Sequence, residues 1–205
     1  MKNILLILLF ALTSSLLAQT PILPLENCKG SQSTPNAYYK DINLILNQFI
    51  GTWKYASGQD TLIIKFKKIE MFYNQSPEVN YYEDFLVGEY RYVKNGVELI
   101  NSLTSFDTET NPYNFSIWGG SIFSNHHNPI CENCSPNQKR MQLAFKDNLR
   151  PLSFGDIMLR RIFQVGVEKL EVGISCGVIV YNVDNPPPYF DCNVPSTDFI
   201  LTKVQ

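Results

Sequence analysis

The residues best suited to chemistry in this sequence lie close together in the segment SNHHNPICENC, residues 124–134. His127 precedes Cys131 by four positions, and Cys134 follows Cys131 after two intervening residues. Histidine nitrogen and cysteine thiolate are preferred protein ligands of zinc, so His127, Cys131 and Cys134 are candidate metal ligands. A structural zinc site needs a fourth ligand, which would be the adjacent histidine, Glu132 or a distant cysteine.

Oxidation of the same two cysteines is the competing interpretation. In an exported protein a cysteine pair forms a disulfide more readily than a metal site. A redox-active Cys-x-x-Cys motif is a third alternative, but the sequence has no strand-to-helix setting of the kind that lowers a thiol pKa. We therefore expect a Cys131–Cys134 disulfide, no bound metal and no cofactor.

A second cysteine pair, Cys176 and Cys192, brackets fifteen residues. A bond between them closes a loop whose constraint on the unfolded chain is worth about 3 kcal/mol in the chain-entropy model. We expect this disulfide as well. Cys28 is then the odd cysteine, either free or paired within or between chains.

The acidic residues form no visible catalytic constellation. Glu83 and Asp84 are adjacent, so in a strand they point to opposite faces, while Glu89 and Arg91 share a face and are expected to form a solvated pair. The sequence contains no nucleophile elbow, phosphate loop or His-Glu-x-x-His motif. We expect that the protein is not an enzyme.

The N-terminal residues indicate export. Lys2 precedes a short apolar run that ends in small residues, which is typical of a secretory signal peptide over residues 1–18. We expect a flexible leader over residues 19–36, a single domain over residues 37–205, and a secreted or periplasmic location. A formal net charge of −2 without a basic block disfavours nucleic acid as a partner, and no second long apolar segment predicts a membrane span.

The first predicted element of the domain is a short α-helix over residues 37–49. Its apolar residues recur at spacings of three and four, which is the period of one helix face. They are Tyr39, Ile42, Ile45, Leu46 and Phe49.

From residue 51 onward the period becomes two, which indicates strands. In TLIIKFKK, for example, Leu62, Ile64 and Phe66 alternate with polar positions, and Asn95-Gly96 is a strong hairpin turn signal. Eight to ten short strands follow one another with no intervening helix. The sequence therefore predicts an all-β fold, an antiparallel meander that is either closed into a barrel or folded as a sandwich. Of these two we expect the barrel.

The residues Gly51-Thr52-Trp53, at the start of the first strand, resemble the opening of calycins, the group of lipocalins and fatty-acid-binding proteins. The resemblance implies that Gly51 permits the turn into the strand and that Trp53 packs across the closed end of a barrel. It also implies a basic residue over the tryptophan from near the last strand. Lys203 stands at that position, where an arginine is usual.

A tyrosine-rich face is the candidate ligand surface. Tyr82, Tyr90 and Tyr92 fall on one face of a continuous strand and would line a cavity for a small apolar or amphipathic molecule. The alternative is a filled core with tyrosine hydroxyls at its rim. In that case the protein would be an envelope or extracellular module that binds another protein.

A second resemblance covers most of residues 38–205. The segments YYKDINLILNQFIGTWKY and YYEDFLVGEYRYVKNGVELINSL, followed by LAFKD and a terminal LTK, resemble a family of small secreted Bacteroidota proteins known as a domain of unknown function. The resemblance implies export and a shared fold, and it transfers no catalytic residue.

Overall fold

The computed structural model describes residues 20–27, 32–125, 130–150, 152–178, 189, 191–195 and 198–204. These residues form eleven strands and four short 3₁₀ turns. The strands are β1 (Ile22–Pro24), β2 (Tyr38–Lys40), β3 (Gly51–Ser57), β4 (Asp60–Asn74), β5 (Tyr81–Lys94), β6 (Val97–Asn101), β7 (Ile117–Phe123), β8 (Arg140–Lys146), β9 (Ser153–Gln164), β10 (Val167–Val178) and β11 (Phe199–Val204). The 3₁₀ turns are Leu25–Asn27, Leu46–Gln48, Leu103–Ser105 and Pro112–Asn114.

Eight of the strands close into an antiparallel barrel in meander order. Each strand pairs with the next in the order β3, β4, β5, β7, β8, β9, β10 and β11, and β11 pairs with β3 to close the ring. The strand β6 pairs with the end of β5 through a turn at Asn95 and Gly96, both of which have positive φ. The predicted all-β meander barrel is confirmed.

The barrel interior holds the main hydrophobic core. Alternate residues of the strands point inward, as in β4, where Leu62, Ile64 and Phe66 are each 1% exposed. A second, smaller cluster lies on the outer wall, where the connection between β6 and β7 folds over β4 and β5 and places Phe106 and Phe115 against Phe85 and Val87.

The predicted α-helix over residues 37–49 is wrong. Tyr38 and Tyr39 belong to β2, which runs parallel to β5, and only the single turn Leu46–Gln48 is helical. The Asp41 carboxylate accepts hydrogen bonds from the backbone N–H groups of Ile45 and Leu46, at 2.8 and 2.9 Å. A segment this short is marginal as a helix, so strand pairing and this side-chain cap outcompete it.

Part of the predicted leader is also structured. The strand β1 pairs in parallel with β2, and Leu25 is 3% exposed within the core cluster. The predicted signal peptide lies outside the described residues. In the part of the chain that the structure describes, no helix has the length and apolar character needed to cross a lipid bilayer.

Candidate functional site

The residues predicted to close the barrel lie together where the first and last barrel strands meet. Trp53 is fully buried, and its indole N–H donates to the Phe49 carbonyl oxygen at 2.8 Å. Lys203 pairs with Trp53 across the strands, and its Nζ lies 5.1 Å from the centre of a ring of Trp53. Gly51 has a φ of +126°, and a Cβ there would lie 3.3 Å from Lys203 Cε. Lys203 also forms an ion pair with Glu168 at 3.0 Å.

The three tyrosines predicted to face a ligand do not share one open surface. Tyr90 and Tyr92 are 1% and 3% exposed, and burial raises the pKa of both phenols. The Tyr90 hydroxyl donates to the Asp147 carboxylate and accepts from a backbone N–H, so its polar groups are satisfied within the protein. Tyr82 is half-buried, and its ring lies 5.1 Å from that of Tyr73.

Large side chains of the protein itself occupy the barrel interior. Several of the residues in the main core cluster are fully buried and bulky. The largest of them are Trp53, Tyr90, Phe49, Phe66, Phe145, Leu46, Leu62, Ile64, Leu86, Ile117 and Met141. Because protein interiors pack closely, an inner surface filled in this way offers little volume to a ligand.

Both cysteine pairs are disulfides in the structure. The turn disulfide joins Cys131 and Cys134, whose Cα atoms are 5.3 Å apart, and the loop disulfide joins Cys176 and Cys192, at 5.8 Å. In this oxidised state neither Cys131 nor Cys134 offers a thiolate to a metal. His127, the third candidate zinc ligand, lies outside the described residues.

A buried polar cluster fastens the N-terminal segment to the barrel. The Asp84 carboxylate accepts from the Tyr38 hydroxyl at 2.6 Å and from the Asp41 backbone N–H at 2.9 Å, and it lies 3.2 Å from Lys68 Nζ. Burial opposes ionisation of Asp84, but these hydrogen bonds hold its pKa below the ordinary value. Burial alone would lower the pKa of Lys68, yet the contacts with Glu70 and Asp84 raise it overall. Every charge has a partner, so we assign this cluster a structural role.

The predicted solvated pair of Glu89 and Arg91 is wrong. Glu89 is 4% exposed and accepts hydrogen bonds from the backbone N–H and the hydroxyl of Ser116, while Arg91 pairs with Glu98. Burial raises the pKa of Glu89. The reason is the β6–β7 connection, which covers the outer wall of β5 and turns a surface position into a buried one.

The strongest candidate site is a groove on the outer wall, bounded by β5, β7, β8 and the end of the β6–β7 connection. We call it the outer groove. Its volume is about 320 Å³. Aromatic rings and polar side chains line it together: Gln32, Glu83, Phe85, Tyr113, Trp118, Ser121, Gln142 and Asp156, with Gly119, Gly120, Leu143 and Ala144.

Glu83 is the buried acid of the outer groove. It is 5% exposed, and its Oε1 accepts from Gln32 Nε2 at 2.8 Å, while Asn74 Nδ2 lies 3.5 Å from Oε2. Burial raises the pKa of Glu83 to about 7, the hydrogen bond from Gln32 lowers it, and the charge of Asp84 raises it further. Both donors are neutral amides, so at neutral pH a substantial fraction of this carboxyl group is protonated.

An exposed aromatic ring is fixed at the rim of the outer groove. Tyr113 is 50% exposed, yet its hydroxyl donates to the Asn74 side-chain oxygen. Its ring packs edge-on against Phe72 and Phe85, with centroids 6.0 and 5.7 Å apart. Asn74 therefore links Tyr113 to the Glu83 carboxyl group, and a ring open to solvent is held in one position.

Two glycines form the floor of the outer groove. The register between β7 and β8 shifts between Trp118 and Ser121, which places Gly119 and Gly120 in a bulge. Gly119 has a φ of +149°, and a Cβ on Gly120 would lie 3.0 Å from a Glu83 carboxylate oxygen. Side chains at these positions would fill the floor, so the two glycines keep the outer groove open.

Sequence reasoning missed the outer groove because its residues come from five separate segments of the chain. These segments are residue 32, residues 83–85, residues 113–121, residues 142–144 and residue 156. The one local signal was Trp118-Gly119-Gly120, an aromatic residue before two glycines inside a strand pattern, which is typical of a bulge. The arrangement brings flat apolar surfaces next to amide and carboxyl groups. It can bind a small molecule that has both apolar faces and hydroxyl or amide groups.

The comparisons with known proteins place the chain in one family. The model of a family of unknown function, DUF6705, matches residues 1–204. No match was found among curated proteins or among solved structures. Because the family model spans nearly the whole sequence, the chain belongs to DUF6705, a family of unknown function.

Proposed function

We propose that this protein is an exported, non-enzymatic binding protein that holds a short, neutral saccharide in the outer groove. The single observation that carries the proposal is that the groove combines the exposed ring of Tyr113 and the half-buried ring of Trp118 with amide and carboxyl side chains. Export is supported by the two disulfides, which persist in oxidising compartments.

The filled interior argues against the ligand position that the calycin resemblance implies. Fully buried Trp53, Phe66, Tyr90 and Phe145 occupy the inside of the barrel. We therefore propose a likeness to calycins for the architecture of the barrel and not for the position of the ligand. It is supported by the eight-stranded meander and by the position of Lys203 over Trp53.

The composition of the outer groove favours a sugar ring. A pyranose has an apolar C–H face that can lie on an aromatic ring, and hydroxyl groups around its edge that hydrogen-bond to amides and carboxyls. Trp118 and Tyr113 supply rings, and Gln142, Ser121 and Asp156 supply polar groups. A volume of about 320 Å³ is at the lower end of the range of ligand sites, roughly 300–1,000 Å³, and suits one or two sugar rings.

Charge disfavours an anionic ligand. Asp156 is exposed at the groove and repels anions. Burial raises the pKa of Glu83 to about 7, so that this carboxyl group is a weak attractor of cations and, when protonated, a hydrogen-bond donor. Glu83 already accepts from Gln32 and lies near Asn74, which disfavours a role in protonating a leaving group. We therefore propose binding without hydrolysis.

The test is a survey of neutral oligosaccharides on a glycan array, followed by calorimetric titration of the best ligand. Ala144→Leu, which adds bulk at the edge of the groove, and Trp118→Ala, which removes a ring, are each expected to weaken binding at least about tenfold. Phe163→Ala is the matched control, since Phe163 is an exposed aromatic residue outside the groove. If folded A144L and W118A bind as the native protein does, the groove is not the site. Cleavage of the sugar during titration would refute the non-enzymatic part.

A second candidate function is docking to another protein through the tip of the β9–β10 hairpin. Three apolar side chains are exposed there: Phe163 at 63%, Val165 at 98% and Val167 at 46%. A pull-down from the host envelope fraction that yields one stoichiometric partner, lost with Phe163→Ser, would support it. Equal capture by F163S would reject this surface.

A further inference from the structure

The turn disulfide has an environment that differs from that of an ordinary structural bridge. Cys131 and Cys134 are half-buried, and the Cys134 backbone N–H donates to the Cys131 carbonyl oxygen in a tight turn. The Nη1 atom of Arg160 lies 3.6 Å from Cys131 Sγ and 3.7 Å from Cys134 Sγ. The same nitrogen donates to the Asn133 carbonyl oxygen at 3.2 Å. One guanidinium nitrogen is thus placed against both sulfur atoms.

The orientation of Arg160 is fixed from its opposite edge. Its Nε and Nη2 donate to the two carboxylate oxygens of Glu171, at 3.2 and 2.6 Å, and its side chain is 14% exposed. Arg140 pairs with Arg160 between β8 and β9. Burial lowers the pKa of Arg140, and the charge of Arg160 lowers it further. Glu171 thus holds one edge of the guanidinium while Nη1 at the other edge lies against both sulfurs.

We propose that the turn disulfide is a thiol–disulfide exchange centre, with Arg160 as the group that stabilises the thiolates formed on reduction. Positive charge next to a Cys-x-x-Cys pair favours the thiolate form of the cysteines. In oxidoreductases the N-terminus of a helix usually supplies this charge. In this protein the turn does not begin a helix, and the side chain of Arg160 supplies the charge. The proposal is independent of ligand binding in the outer groove.

The co-reactant is a dithiol. One thiolate of the dithiol attacks either sulfur of the turn disulfide, the S–S bond breaks, and the other cysteine leaves as a thiolate beside Arg160. The second thiolate of the dithiol then attacks the mixed disulfide and releases the remaining cysteine. The dithiol loses two electrons and two protons and becomes a disulfide, and Cys131 and Cys134 gain the electrons as thiolates or, after protonation, thiols.

Access and folding both permit this exchange. Cys131 and Cys134 are half-buried, and beside them Asn133, Ser135 and Arg160 line an open groove of about 510 Å³. The turn disulfide spans a sequence separation of 3, whereas the loop disulfide spans 16. Closing a short ring constrains the unfolded chain less, so reduction of the turn disulfide costs the fold less.

The experiment equilibrates the full protein in glutathione buffers of graded redox ratio, traps free thiols with an alkylating agent and maps both disulfides by mass spectrometry. Arg160→Met is expected to make the turn disulfide harder to reduce, with an equilibrium constant shifted about tenfold or more. Arg161→Met is the control, since Arg161 lies on the same strand and pairs with Glu168. In R161M the equilibrium constant for reduction of the turn disulfide is expected to stay within about twofold of the native value. The same is expected of the loop disulfide in R160M.

A second variant keeps the test decisive if R160M does not fold. Glu171→Gln removes the acid that offsets the charge of Arg160, so the turn disulfide is expected to become about threefold or more easier to reduce. A folded R160M with a midpoint within twofold of the native one would overturn the proposal. If R160M does not fold, an unchanged midpoint in E171Q would overturn it and make the turn disulfide a structural bridge only.

Discussion

Replacing the buried acid of the outer groove is expected to remove a pH dependence of stability. Burial raises the pKa of Glu83 from its ordinary 4.5 to about 7. Between these values the folded protein holds a proton that the unfolded chain releases. The free energy of unfolding therefore falls as the pH rises through this window. Glu83→Gln carries no titrating group and does not contribute this fall.

The magnitude follows from the pKa shift. One pKa unit corresponds to about 1.4 kcal/mol, so a rise from 4.5 to about 7 in Glu83 is worth about 3 kcal/mol at most. Between about pH 5 and about pH 8, the native protein is expected to lose about 2–3 kcal/mol of stability relative to E83Q. A glutamine amide has one oxygen for the two amide donors Gln32 and Asn74, and this mismatch lowers stability equally at every pH.

Urea unfolding followed by tryptophan fluorescence under non-reducing conditions measures the difference. Glu78→Gln is the matched control, because Glu78 is exposed and lies on the neighbouring β4–β5 connection. The free energy of unfolding of this control is expected to differ from that of the native protein by the same amount at every pH. If the difference between native protein and E83Q is the same at both ends, within about 0.5 kcal/mol, then Glu83 is not a buried, proton-holding acid.

Three further substitutions test the fold around the sites. Asp41→Ala removes the acceptor of two backbone N–H groups at 2.8 and 2.9 Å, and urea unfolding is expected to show a loss of about 2–4 kcal/mol. A loss below about 0.5 kcal/mol would contradict its role as a cap. Replacing Cys176 and Cys192 together by serine is expected to cost about 3 kcal/mol in the same assay, and an unchanged midpoint would show that the loop disulfide adds no stability. Gly120→Ala places a Cβ 3.0 Å from a carboxylate oxygen in the groove floor, so calorimetry is expected to show a lower melting temperature. An unchanged melting temperature would mean that neighbouring atoms shift to make room for the added methyl group.

The strands and the disulfides were predictable because their signals are local. Alternation of apolar and polar residues marks β4, and Asn95-Gly96 marks the turn before β6. Cysteine spacing, together with the expected export, predicted both disulfides. Lys203 was singled out by the resemblance to calycins, which implies a basic residue near the last strand. The strand and turn signals need only neighbours in the chain and one physical rule.

The errors arose where distant segments compete for the same residues. Tyr39, Ile45 and Phe49 are buried as the helical period implied, but the segment gains more by pairing with β5 and by the Asp41 cap than by forming a short helix. Glu89 looked exposed because nothing in its own strand indicates that the β6–β7 connection folds over it. The outer groove was missed for the same reason, since tertiary packing alone brings its five segments together.

Saccharide binding in the outer groove is tested most directly by an amide NMR titration of the protein with the neutral oligosaccharide that binds best on the array. Binding in the outer groove predicts saturable shifts that cluster on β7 and β8, around Trp118 to Ser121 and Gln142 to Ala144. Residues that flank the core side chains Tyr90 and Tyr92 are expected to stay unchanged. Shifts centred on these tyrosines, or no saturable shift with any neutral sugar, would show that the outer groove is not a saccharide site.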